Sequence, residues 1–355
     1  MLSGRQSAGV ALASEVRVPV NYAAVGPIAV YLPAKIETND ELKAQFPSWD
    51  LDLIYEKTGI FSRHIAGPHE CASDLGVAAC QKLFAEHDVD PASIDFLLLC
   101  TQTPDYPLPT TACLMQDRLG LKKSTGALDF NLGCSGYVYG LGLCEGLIRA
   151  GMARRILLVT AETYSKYIGA DDRSLRTIFG DGAAATLVEA ADEPSLMSFR
   201  YGTDGSGAES LIVNRGGARP LEHAIKPQKR QRWSSPLCMD GPALVEFTIE
   251  HVPKLCDEIL AEVRVSREQL DYYLMHQATW HMLERLQKAV GVGESKMPLV
   301  LKDYGNTVSS TLPIMIRDMR SDGRLKPGTQ SLLIGFGVGL SWAGCYWRES
   351  YSGAP

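Results

Sequence analysis

Cys134, His276 and Asn306 are the residues of this 355-residue chain whose settings best suit them to chemistry. Cys134 lies in DFNLGCSGYVYG, where an apolar strand turns through Gly133 into a segment that reads as a helix. A free thiol with a pKa near ~8.5 is mostly protonated at neutral pH, and a helix N-terminus favours its thiolate. Gly133 and Gly136 would permit a sharp turn and close approach of a substrate. The arrangement is analogous to a serine nucleophile elbow rebuilt on cysteine, although the segment alone is also open to a buried structural cysteine. His276 ends the apolar run LDYYLM and precedes QATWHMLERL, a predicted helix; a core histidine would fit there as well. Asn306 follows Gly305 in KDYGNTVSSTLPI, where an ordinary Gly-Asn turn is the alternative. Together the three make a set. Thiolate chemistry needs a partner for its proton and donors for developing oxyanion charge, which His and a neutral Asn amide can supply.

Strand and helix patterns alternate along the chain, predicting βαβ units and a largely parallel sheet. IDFLLLC, RRILLVTAE, AAATLVEA, LDYYLMHQ and QSLLIGFG are near-continuous apolar runs that suit strands covered on both faces. Two of these signals recur at one spacing: 270 − 94 and 330 − 154 are both 176. That echo predicts two duplicated α/β halves, residues 22–190 carrying Cys134 and 191–355 carrying His276 and Asn306, after a flexible lead-in at 1–21. Sites in such folds favour the C-terminal ends of strands. GFGVGLSW follows the last predicted buried strand and lacks the spacing of a dinucleotide fingerprint, so its glycines are expected to admit a substrate.

Composition bounds the rest. Apolar content is 45%, charged content 21% and net charge −6, which gives no general attraction for nucleic acid or an anionic membrane. No apolar run approaches the ~20 residues of a membrane span, and the first residues do not read as a signal peptide. The cysteines are scattered without a CxxC pair, so no disulfide framework and no metal site is expected, and a cytoplasmic location is.

GCSG, HQA and YGNTVSS, with TGIFSRHIA, FGDGAAA and GFGVGLSW, resemble β-ketoacyl–acyl-carrier-protein synthase III of the thiolase superfamily over roughly residues 22–348. The resemblance implies a five-layered αβαβα fold, a homodimer and no permanently bound cofactor. It implies that Cys134 takes an acyl group from a coenzyme A or carrier-protein phosphopantetheine thioester. Malonyl–carrier protein then loses CO₂, His276 and Asn306 hold its enolate, and the enolate attacks the acyl-cysteine. The backbone N–H groups of Cys134 and Val338 would form the oxyanion hole, and Lys57, Arg173 and Thr279 would contact the substrate.

The chain also departs from the family pattern. Leu53 stands for an adenine-stacking Trp and Lys57 for a coenzyme-contacting Arg. Pro242 and Val245 replace an Asn and a Phe of the pantetheine wall, Thr279 replaces the Asn of HQAN, and Val338 a Gly. This thinned coenzyme grip reads as a specialised relative, from secondary-metabolite or sugar modification, rather than a housekeeping starter enzyme. Acyl transfer to an amine or hydroxyl without condensation is the alternative reaction, and a non-catalytic thiolase-fold partner subunit the alternative of another class. Lys226, Lys229, Arg230 and Arg232 form a basic run that is either a solvated loop or a docking surface for an acidic carrier protein.

Overall fold

The computed structural model describes residues 21–220, 223 and 235–353. Most of the lead-in and the basic run from Lys226 to Arg232 lie outside these residues. The strands are β1 (Tyr22–Tyr31), β2 (Lys35–Thr38), β3 (Ser62–Ile65), β4 (Phe96–Cys100), β5 (Gly126–Phe130), β6 (Arg155–Glu162), β7 (Gly182–Ala191), β8 (Leu196–Thr203), β9 (Leu211–Val213), β10 (Leu237–Met239), β11 (Tyr272–Met275), β12 (Gln330–Gly337) and β13 (Ser341–Arg348). The helices are α1 (Asn39–Gln45), α2 (Leu51–Thr58), α3 (Ala72–Glu86), α4 (Thr111–Arg118), α5 (Gly136–Arg149), α6 (Arg173–Arg176), α7 (Gly241–Val263), α8 (Trp280–Val290) and α9 (Thr311–Ser321).

One sheet runs β1-β7-β6-β4-β5 and a second runs β8-β13-β12-β11. The second repeats the order of the first with its last strand missing, so the duplication heard in the sequence is built into the topology. The apolar runs of β4 and β6 are buried on both faces because helices cover both sides of the sheet. Outside the first sheet, α3 and α4 pack Leu75, Leu83 and Met115 onto Leu97 and Val159. Between the sheets, α5 and α9 bury Tyr137, Leu141, Leu312 and Met315 against both. Outside the second sheet, α7 and α8 bury Leu255, Ile259 and Leu286. These are the five layers.

Two expectations are corrected. The sheets are mixed: β4 pairs in parallel with β5 and β6, and β11 with β12, while β7 and β13 run antiparallel to both of their neighbours. Consecutive strands run parallel only when a crossover connection joins them, and β12 returns directly into β13 through a short turn. Nor is Gln330–Gly337 the last buried strand. β13 follows it, and its Gly344, Cys345 and Trp347 are buried. Among the described residues no helix is long and apolar enough to cross a membrane.

Candidate active site

Cys134 sits in the five-residue link between β5 and the helix start at Gly136, with Gly136 N–H donating to Gly133 C=O at 2.8 Å. It is 6% exposed. The glycines around it serve contact more than turning. A Cβ at Gly337 would lie 2.8 Å from Cys134 Cβ and 2.9 Å from its Sγ, and one at Gly335 would lie 2.7 Å from the Cys134 carbonyl oxygen. The GFG of β12 therefore admits the cysteine itself, and Gly337 also lines the cavity beside it. Gly133 and Gly136 likewise leave room for the Gln102 side chain and Cys100 Sγ.

The expectation of a lowered thiol pKa is overturned. Burial pushes the Cys134 thiol up to about 12, and the neighbouring Glu162 carboxyl adds to the rise. The backbone N–H groups of Cys134 and Val338 face the sulfur and offset part of this. Desolvation of a charged group outweighs partial charges at a helix end. The resting residue is a thiol, and its charge must develop as substrate arrives.

His276 continues from β11, its backbone N–H donating to Ile334 C=O at 2.8 Å. Nδ1 lies 2.7 Å from Thr311 Oγ1, and the ring meets Phe336 edge-on at 5.6 Å between centroids. Burial lowers its pKa to about 3, so the imidazole is neutral across the physiological range.

Asn306 is fixed from three directions. Its backbone N–H donates to Ile178 C=O at 2.9 Å, and its C=O accepts from Gly180 N–H at 3.1 Å. Its side-chain Oδ1 accepts from Val308 N–H at 2.9 Å, which leaves the amide NH₂ as the donor end. The FGDG segment thus clamps the asparagine turn: a Cβ at Gly305, whose φ is +67°, would sit 2.7 Å from Ile178 C=O. Val308 adopts φ +56°, a sparsely populated conformation for a β-branched residue, and aims its N–H at Asn306.

The three side chains line one cavity of about 350 Å³. Its walls are mainly apolar, with Phe179, Leu211, Met239, Leu244 and Phe336, while Lys57, His281 and Arg285 bring basic groups. Pro242 lines it from the first turn of α7, with Val245 beyond. Thr279 also lines it, but its hydroxyl caps α8 by accepting from Met282 N–H at 3.4 Å. Leu53 lies on α2, 45% exposed. Neither Leu53 nor the exposed Arg173 is among the residues lining this cavity.

Three features escaped sequence reading. Glu162, the last residue of β6, is wholly buried and accepts from Gln102 N–H at 3.1 Å, Thr103 Oγ1 at 3.2 Å and Ser309 Oγ at 3.1 Å. Burial raises its pKa to about 8, so the neutral acid predominates at pH 7 and the anion grows in above the raised value. Its strand-end position was the available signal, but its partners lie far away in sequence. Thr311 and Arg285 looked like ordinary helix residues.

Two sequence profiles match the chain, described as 3-oxoacyl-[acyl-carrier-protein] synthase III over residues 128–205 and the C-terminal part of the same enzyme over 260–349. The β-ketoacyl-[acyl-carrier-protein] synthase III of Lactococcus lactis is 35% identical over 326 residues, covering 91% of this chain and 98% of the relative. A crystal structure of a 3-oxoacyl-(acyl-carrier-protein) synthase III is 44% identical with a TM-score of 0.85, covering 92% of this chain and 99% of that one. A 3-oxoacyl-(acyl-carrier-protein) synthase from Burkholderia xenovorans is 35% identical with a TM-score of 0.86, covering 93% of this chain and 94% of that one.

Proposed function

The chain belongs to the β-ketoacyl-acyl-carrier-protein synthase III family, and from that premise we propose a two-step reaction in which Cys134 is acylated and the acyl group is then condensed with malonyl–acyl-carrier protein. The observation that carries it is the convergence of Cys134, His276 and Asn306 on one apolar cavity.

In the first step the thiol attacks the thioester carbonyl, its proton passes to the departing thiol, and an acyl-cysteine remains. The N–H groups of Cys134 and Val338, already directed at the sulfur, are suited to receive the carbonyl oxygen. In the second step the malonyl C–C bond breaks, CO₂ departs with the bond's electrons left behind, and the resulting enolate oxygen takes hydrogen bonds from neutral His276 and the Asn306 amide. The enolate carbon attacks the acyl carbonyl, the C–S bond breaks, and Cys134 regains a proton. Apolar walls keep water from quenching the enolate. Incubation with an acyl thioester and malonyl–carrier protein, followed by mass spectrometry of the carrier, tests this. β-Ketoacyl–carrier protein is expected; acylated Cys134 that passes its group only to amines or alcohols would overturn condensation.

We read the donor as a carrier-bound or longer acyl thioester. Leu53 offers no ring for adenine, whereas base–aromatic stacking is worth ~1–3 kcal/mol. Lys57 lines the cavity as a point charge without the planar fork of an Arg, and Pro242 has no N–H. The kcat/KM for Cys134 acylation is expected to be about 10- to 100-fold higher with one acyl group on carrier protein than on coenzyme A. Octanoyl should surpass acetyl. Acetyl-coenzyme A proving the best donor would return the chain to the housekeeping class.

The assembly is read as a homodimer through β5. This strand ends the first sheet with one edge unpaired among the described residues, and Leu128 on it is exposed. Asp129 accepts from Thr111 N–H at 2.6 Å, which holds the loop bearing exposed Tyr106 and Leu108 alongside. An apolar open edge favours pairing with a second copy. Sedimentation at twice the chain mass is expected, and a monomer for Leu128→Lys.

A further inference from the structure

Thr311 is the first residue of α9 and 3% exposed, and its hydroxyl has two polar neighbours. His276 Nδ1 lies at 2.7 Å and Val308 C=O at 3.2 Å. The hydroxyl has one proton and can serve one of them. O–H donors bond over roughly 2.5–3.0 Å, whereas N–H···O bonds run over roughly 2.7–3.2 Å and centre near 2.9–3.0 Å, so the shorter contact lies nearer the centre of the hydroxyl range. The 2.7 Å separation suits a hydroxyl donating to the ring, and 3.2 Å is long for a hydroxyl bond to the carbonyl.

We propose that Thr311 sets the tautomer of His276, donating its hydroxyl proton to Nδ1 so that the neutral ring carries its own proton on Nε2. Resting on the condensation reading, this makes Thr311 a positioning residue for the enolate step. With Nε2–H the histidine is a donor beside Asn306. With the proton on Nδ1, Nε2 would present a lone pair to the enolate oxygen and repel it. Val308 links the two donors, since its N–H holds Asn306 Oδ1 and its C=O is Thr311's other neighbour. One turn thereby governs both the orientation of the amide and the proton position of the imidazole.

The test is ¹⁵N NMR of histidine-labelled protein, with His276 assigned by the signal lost in His276→Gln, on wild type, Thr311→Val and Thr311→Ser. Thermal midpoints of the variants serve as the folding control. Wild type should show Nε2–H and bare Nδ1, Ser should retain this, and Val should shift toward Nδ1–H. Malonyl–carrier protein decarboxylation should fall about 100-fold in Val and recover in Ser, as for loss of one oxyanion donor. Nδ1–H in wild type, or an unchanged tautomer in folded Thr311→Val, would overturn the assignment. Tautomers as expected with normal decarboxylation in Thr311→Val would support Thr311's control of the ring and count instead against the ring's part in condensation.

Discussion

Replacing Cys134 by alanine is expected to abolish the covalent acyl adduct completely. Intact mass of wild-type protein after incubation with an acyl thioester should rise by one acyl group, and peptide mapping should place it on Cys134. The other cysteines lack one requirement or another. Cys80, Cys144, Cys256 and Cys345 are buried, and desolvation pushes each of their thiols up. Cys100 is buried near Cys134, but its thiol donates to Leu132 C=O at 2.8 Å. Cys113 is exposed on α4 and does not line the cavity. Cys134 joins the cavity to two inward N–H groups. It too has a raised pKa, so fast alkylation of the resting enzyme is a poor diagnostic. The acyl adduct is the better one, because bound substrate excludes water and brings the charge to the oxyanion donors. Label on Cys113 or Cys100, or undiminished label in Cys134→Ala, would remove the basis for both steps. An inert wild type would revive the non-catalytic subunit.

What could be heard in the sequence was what local pattern encodes. Strand ends and glycine turns beside Cys134, His276 and Asn306 made them candidates, although each remained open to a structural reading until the family resemblance singled the three out. The duplicated architecture was audible because β4 and β11, and β6 and β12, keep their spacing in both halves. Interactions between distant segments leave no such trace. Glu162 is defined by Ser309 and Gln102, and the His276 tautomer by a hydroxyl 35 residues away. The acidity of Cys134 was misjudged for the same reason: a helix start is local, whereas the burial that outweighs it comes from β12 and Glu162. Arg173, brought in by family resemblance, lies exposed on α6 away from the cavity lining.

Asn306→Ala is expected to lower β-ketoacyl product formation by about 10²–10³-fold, the loss typical of one oxyanion donor, while acylation of Cys134 persists. The split follows from geometry. The first step can draw on the N–H groups of Cys134 and Val338, which alanine at 306 leaves in place. The enolate would lose one of its two side-chain donors. A structural objection must be met, because alanine also strips the acceptor from Val308 N–H, and an unsatisfied buried donor costs about 1–3 kcal/mol. Asn306→Asp separates the two effects. Its carboxylate keeps an oxygen for Val308 N–H but has no NH₂ to donate, and its negative charge opposes the enolate. If donation to the enolate is what Asn306 does, Asp should lose at least as much condensation as Ala while folding as well as wild type. If Asp is nearly normal and only Ala is impaired, Asn306 serves the turn rather than the reaction. Normal product formation in both variants would mean that the enolate is not held by this pair of donors, and acyl transfer without condensation would become the better account of the site.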